Sequence, residues 1–210
     1  MLQDLSTEGP SRRASSIVLE TERLALRQPT LADVKAIACL ANDRRIAENT
    51  RQLPHPYTLR DAEQFICGLN TGRRSSAFLI TYDDAPIGMA GLDWSAPETP
   101  ALGYWLGVEF WGHGFATEAA RAVIDFTFRE HDAAMLIASA RVVNPASRRV
   151  LEKCGFQWTG VELHRFTALG SSTPVDTFRL DRRVWSSLKR WRDSVRRDEA
   201  LPAVFMPAAE

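Results

Sequence analysis

Cysteine is scarce: only Cys39, Cys67 and Cys154 occur in 210 residues, and no two of them stand in a Cys-x-x-Cys spacing. An odd, scattered set argues against a disulfide framework and against a structural zinc site, and it fits a reducing cytoplasm. Net charge is absent as well, because 26 basic side chains offset 26 acidic ones. A chain without a global positive field cannot hold a long polyanion by counterion release, which argues against nucleic acid as the main partner. No apolar run approaches the ~20 residues that a membrane span requires. The first residues carry Asp4 and Glu8 with no apolar stretch between them, so no secretory signal is expected and the protein is expected to stay in the cytoplasm. Histidines such as His131 and His164 have nothing nearby at metal-ligand spacing, and no metal is expected.

What is present is the balance of an ordinary globular protein, 45% hydrophobic and 25% charged. Residues 1–16 and 193–210 read as tails without apolar periodicity, which leaves one domain over 17–192 with no repeat and no dividing linker. Period-two apolar positions predict a strand from Ile17 to Arg27, and Thr30 followed by Leu31, Val34, Ile37 and Leu40 predicts a capped helix. A second helix is expected from Thr58, where Thr58 and Asp61 form a capping box with a shortened acid, to a stop at Asn70 and Gly72. Strands follow at Ala77–Tyr82 and Ile87–Trp94, joined by a hairpin across Asp83 to Pro86, and at Ala101–Gly107. After a helix from about Ala116 come a strand from Met135 to Val143, a helix from Pro145 to Lys153, and closing strands at Phe156–His164 and Asp176–Val184. The class is mixed α/β. Trp94, Trp105, Trp158 and Trp185 are assigned to packing, and the arginines and lysine from Arg182 onward to a solvated basic face.

Two segments carry chemistry. From Gly107 through Arg121 a strand end feeds a loop of small residues and then a helix. Gly112, Gly114 and Ala116 allow close backbone approach, and the first N–H groups of the helix have no acceptor of their own, so the segment suits a pyrophosphate. Neither a Walker A loop nor a dinucleotide fingerprint is satisfied here: the first lacks its Gly-Lys-Ser/Thr, and Thr117 stands where the second needs Gly or Ala. Taken alone, the glycines could equally make a tight turn. The second segment runs from Asn144 through Phe156, with Asn144 as N-cap, Pro145 in the first turn and Gly155 at the stop. Asn144 is thus open to a capping role, a ligand role, or both.

Together with Leu19-Glu20-Thr21-Glu22-Arg23-Leu24-Ala25-Leu26-Arg27 and the stretch from Tyr104-Trp105-Leu106 through Ala120, these segments resemble the GNAT superfamily of N-acetyltransferases. Within it they resemble the ribosomal-protein N-terminal acetyltransferases, the RimJ/RimL-type branch, over residues 17–186. Trp111 replaces the Gln or Arg that opens the phosphate loop in many members.

The resemblance implies a mixed sheet of about six to seven strands, about four flanking helices, and a V-shaped cleft between two central parallel strands. It implies acetyl-CoA as cosubstrate, held by backbone groups around Leu106 and Val108, by the loop of Gly112, His113, Gly114, Phe115, Ala116 and Thr117, and by Asn144 and Ser147. The acceptor is then an amine: a peptide N-terminus, a polyamine, an aminoglycoside or an amino acid, with Glu48–Tyr57 as the acceptor-side loop. A homodimer is compatible with the branch. Attack of a neutral amine on a thioester needs a proton acceptor and benefits from a donor at the leaving thiolate. Glu109 is the candidate base, with a water chain as its rival, and Ser147 is the candidate acid. A non-catalytic acyl-CoA-binding module of the same fold is the alternative reading.

Overall fold

A computed structural model describes residues 18–71, 75–96 and 98–199. The expected tail 1–16, the helix stop at Gly72 and the end of the chain from residue 200 lie outside the described residues. Eight strands form one mixed sheet in the order β1-β2-β3-β4-β5-β6-β8-β7. The count is slightly above the expected six to seven, because the single strand read from Ile17 to Arg27 is a hairpin. Thr21 turns the chain between β1 (Val18–Glu20) and β2 (Leu24–Arg27), its backbone N–H donating to Leu24 O and its hydroxyl oxygen accepting from Leu24 N.

Thr30 opens a 3₁₀ turn, Leu31–Asp33, that runs into α1 (Val34–Ala41), followed by α2 (Arg44–Ala47). Asp33 closes a capping box with Thr30 and receives both ends of the Arg27 guanidinium at 2.7 and 2.8 Å. That fork holds the Asp33 carboxyl well below its ordinary range, at about 2. Because the folded value lies below the unfolded one, the interaction stabilises the fold above pH ~4 and is lost as pH falls through ~2, a contribution of about 2 kcal/mol. Asp33→Asn should therefore flatten the acid limb of a melting-temperature profile between those pH values while lowering stability at neutrality. An unchanged acid limb would show that other carboxylates govern it.

The Thr58 box forms as read: Thr58 N and Oγ1 donate to the Asp61 carboxylate, and Asp61 N donates back to Thr58 Oγ1, starting α3 (Leu59–Thr71), which passes through Asn70. β3 (Ser75–Tyr82) and β4 (Ala85–Asp93) are joined by two residues, Asp83 and Asp84, with φ of 47° and 62°. Ala85 and Pro86 belong to the strand, and the turn is tighter than expected because positive φ at both central residues matches the twist of the flanking strands. β5 (Ala101–Leu106), α4 (Phe115–Glu130), β6 (Met135–Arg141), α5 (Pro145–Lys153), β7 (Gln157–Phe166) and β8 (Ser171–Asp181) complete the sheet and its cover.

The last strand stops at Asp181, and the residues read as its end, together with the first part of those read as tail, form α6 (Arg182–Glu199). The sequence expectation missed this helix because its arginines mask its apolar stripe. Arg182 is only partly solvated: its guanidinium donates to Phe128 O, His131 O and Ala133 O, closing the C-terminal end of α4. Trp185 donates to Asp125 on α4 at 2.6 Å.

Two apolar clusters cover the two faces of the sheet. Leu26, Phe78, Leu102, Leu106, Val123, Leu136, Leu151 and Phe178 pack on the α4 and α5 side, and Val34, Ile37, Tyr57, Ile66, Leu79 and Met89 pack on the α1 and α3 side. Tyr57 is buried, whereas Trp158, assigned to packing, stays 53% exposed on the edge strand β7, its indole N–H donating to Asp176.

Candidate functional site

The strands β5 and β6 run parallel and are paired at a single register position, Ala101 with Ile137, through the bond from Ile137 N to Pro100 O. Beyond that point they diverge, so the C-terminal half of β5 has no strand on one side. Gly107 N donates to Ile87 O on β4. By the alternation of strand groups, the N–H groups of Tyr104 and Leu106 then face the opening toward β6. Here lies the V expected of the fold.

At the mouth of the V the chain makes a 3₁₀ turn, Val108–Phe110, then the loop into α4. Gly112 and Gly114 take φ of 84° and 82°, a region that side-chain-bearing residues rarely adopt, and Gly114 serves as the N-cap. A glycine cap contributes no side-chain acceptor. Thr117 N and Glu118 N both donate to Gly114 O, which leaves the N–H groups of Phe115 and Ala116 at the positive end of a 16-residue helix without an intrahelical partner. The free N–H groups and the positive helix end suit a doubly charged group such as a pyrophosphate.

Trp111 explains its own place in the loop. Its indole N–H donates to Leu106 O at 2.9 Å and its backbone N–H to Val108 O, so both carbonyls are engaged. What remains at Leu106 toward the cleft is the N–H. His113 sits on the rim with its carbonyl accepting from Arg23, while the Phe115 ring is buried beneath the Arg23 guanidinium, 4.6 Å from its centroid.

The role of Arg23 and Glu118 was not legible from residue type. Thr21 Oγ1, Arg23 N and Arg23 Nε all donate to the Glu118 carboxylate, at 2.7, 2.9 and 2.8 Å. Burial alone would raise the Glu118 carboxyl, but these three donors outweigh it and hold it below its ordinary value. The first β-hairpin is thereby pinned to the first turn of α4, which fixes the loop. The signal available in the sequence was a carboxylate in a helix first turn, where the dipole favours it.

On the other arm of the V, Asn144 caps α5 through its carbonyl, Oδ1 accepting from Ser147 N at 3.1 Å. Its amide N–H₂ is left for another acceptor. Asn144→Asp should keep the cap, since Asp serves as well there, and lose the donor. Unchanged melting temperature with about tenfold weaker acetyl-CoA binding is the expected result; unchanged affinity would make Asn144 a cap alone.

Tyr104, assigned no role in the sequence, reaches across from β5: its hydroxyl lies 3.0 Å from Ser147 Oγ and 3.2 Å from Ser147 O. Burial pushes the phenol up, so it stays protonated and available to order the serine hydroxyl. Tyr104 thus joins β5 to the first turn of α5, the arm of the V that carries Asn144 and Ser147.

Glu109 lies in the 3₁₀ turn, exposed, with no hydrogen bond or ion pair from its carboxylate among the described residues. The other nearby carboxylates are committed, Asp125 to Trp185 and Glu152 to Arg148. The loop Glu48–Tyr57 lies on the opposite face from α4 and is tied to the β7–β8 hairpin by Thr167 N donating to Arg51 O. His131 lies tilted against Trp94, ring centroids 4.7 Å apart, and His164 pairs with Glu162 at 3.0 Å. Among the described residues no cluster of three metal-ligating side chains occurs, and no helix is long and apolar enough to cross a membrane.

Residues 23–157 match the model of the acetyltransferase (GNAT) domain. An uncharacterised N-acetyltransferase, p20 of Bacillus licheniformis, is 28% identical over 174 residues, 80% of this chain and 98% of the relative. The N-acetyltransferase YoaA of Bacillus subtilis (strain 168) is 32% identical over 169 residues, 76% of this chain and 93% of its own. The fold is shared with RimL, a ribosomal alpha-N-protein acetyltransferase solved with coenzyme A: TM-score 0.70, 18% identity, 79% of this chain and 98% of that one. It is shared too with MccE, a microcin self-immunity acetyltransferase solved with acetyl-CoA and AMP: TM-score 0.68, 21% identity, 77% and 93% covered. With these matches beside a split parallel pair and a helix start capped by glycine alone, the chain belongs to the GNAT acetyltransferase family and is an acetyl-CoA-dependent N-acetyltransferase.

Proposed function

We propose that the enzyme acetylates a primary amine, either a peptide N-terminus or a small-molecule amine, by direct attack on the thioester without an acyl-enzyme. The observation that carries this reading is the floor of the V on the face opposite α4 and α5. Gly103 and Ser139 are exposed there in the middle of an eight-stranded sheet, Ile137 is 39% exposed, and a side chain built on Gly103 would meet nothing within 4 Å. An open floor at the centre of a sheet gives a second substrate access from the side away from the CoA loop. No cysteine lies on it, which supports direct transfer.

Bound along the path described, acetyl-CoA supplies a thioester carbonyl. In this proposal the Leu106 N–H is aimed at the carbonyl oxygen and stabilises charge that develops there. Asn144 Nδ2 and the first N–H groups of α4 fix the rest of the molecule, so that positioning contributes most of the acceleration. Ser147, ordered by Tyr104, donates to the departing sulfur, and Glu109, directly or through water, takes the proton of the incoming amine. A cytoplasmic location accords with the cysteine usage.

Incubation with acetyl-CoA and a panel of amino acids, amines and peptides should give an increase of one acetyl group in the mass of at least one acceptor, with stoichiometric release of CoA thiol. Thiol release without an acetylated amine would mark a hydrolase and sink the proposal.

A further inference from the structure

On the acceptor side of β6, Ile137, Ser139 and Arg141 share one face, since the alternate residues Leu136, Ala138 and Ala140 are buried in the cluster under α4 and α5. Arg141 ends the strand at the wide part of the V. Its guanidinium donates to Glu48 O at 3.1 Å and lies 5.8 Å from the centroid of the buried Phe166 ring. Its Nε is buried and meets no protein acceptor. Among the described residues no carboxylate comes within ion-pairing distance: Glu48 is bonded to Arg44 and Glu162 to His164. A half-buried cation without a counter-charge is costly unless something completes it. The nearby His164, on the face of β7 that also carries Phe166, leaves Nδ1 buried and unpartnered as well.

Resting on the acetyl-transfer reading, we infer that Arg141 is a specificity residue that binds a carboxylate carried by the acceptor amine. Glu48 O and the Phe166 ring hold the guanidinium in place with Nε turned inward, and the outer Nη2 group, which has no protein partner among the described residues, is presented to an anion, the charge-assisted contact that suits a carboxylate. The substrate class is then an amine with a nearby acid, a free amino acid or an acidic peptide, and polycationic acceptors are disfavoured.

The test uses the full chain with acetyl-CoA and matched acceptors. Free amino acids are compared with their carboxamides, and peptides with Asp or Glu at the second position with the Asn or Gln counterparts, rates being corrected for the fraction of neutral amine. The acid member of a pair should be favoured in kcat/KM by something on the order of 100-fold. Discrimination confined to one set identifies the source of the carboxylate. Arg141→Gln should erase the preference by slowing the acid member alone, and Arg141→Lys should restore part of it. Equal rates within every pair, or equal loss for both members in Arg141→Gln, would overturn the inference.

Should no amine be acetylated, the acetyl-transfer reading fails separately. Calorimetry with CoA present then decides the subsite: N-acetylamino acids must bind more tightly than their amides in the parent and not in Arg141→Gln, and equal binding overturns it.

Discussion

Gly114→Val is expected to weaken CoA binding at least ~100-fold while leaving the protein folded. Two costs combine. Gly114 has φ of 82°, and a β-branched residue held there stores about 1–3 kcal/mol of strain. Escaping that strain rotates the first N–H groups of α4 away from the bound phosphates, so relief of one cost incurs the other. A Cβ at this position lies in ordinary contact with Arg23 Nη2, at 3.5 Å, so that the γ-methyl groups of valine are what press on the strut that fixes the loop. Gly114→Ala should fall between parent and Val variant, because it shares the backbone penalty and lacks the branched bulk. The melting temperature should drop by about 2–12 °C, since about 1–3 kcal/mol spread over a domain of this size shifts it by roughly 2–4 °C per kcal/mol. Titration of CoA against both variants decides the matter. Parent-like affinity in the Val variant would place the pyrophosphate elsewhere.

Glu109→Gln is expected to lower the rate of acetyl transfer by about 10²–10⁴-fold with acetyl-CoA affinity unchanged, the range for a lost general base. The geometry is permissive: Glu109 follows the strand that carries the Leu106 N–H, and its carboxylate has no partner to neutralise it among the described residues. The pH dependence separates this from a general disturbance of the loop. A peptide α-amine with a pKa near ~8 loses its proton to bulk solvent within the working range, so the deficit of the variant should shrink by pH ~9. An alkylamine near ~10.4 should retain the deficit over the same interval. A Gln variant with full activity at neutral pH, measured where chemistry limits the rate, would remove Glu109 and leave a water chain as the proton acceptor.

The order of strands and helices was legible because most elements announce themselves locally. Thr58 with Asp61, Asn144 with Pro145, and Gly114 before Phe115 each mark a helix start by a mechanism that needs no tertiary information. The loop and the α5 cap were readable for the same reason. The α6 helix was not: its inward residues, Trp185 and Leu188, are flanked by arginines, and Arg182 at its start is bonded to carbonyls at the end of α4, more than fifty residues earlier. Long-range polar pairs escaped in the same way. Glu118 with Arg23 spans 95 positions, and Tyr104 with Ser147 spans 43. No periodicity or spacing encodes such partners, because only the closed sheet brings them together. The cation at Arg141 was equally invisible, since what distinguishes it is the absence of a neighbouring acid in space.

The single point of pairing between β5 and β6 divides the sheet into two mechanical bodies, five strands from β1 to β5 and three from β6 to β7. Along that seam the backbone ladder supplies almost no cohesion, and the two bodies are held by packing, chiefly of α4 against α5. A molecule lodged in the seam that bonds to both lips acts as a rivet. Its binding energy adds to the cohesion of the weakest line in the fold, by RT ln(1 + [L]/Kd), or about 2.7 kcal/mol at a hundredfold excess over Kd. Amide exchange along Tyr104, Leu106, Ser139 and Arg141 therefore reports occupancy of the cleft directly, and slows first where the two bodies would otherwise part.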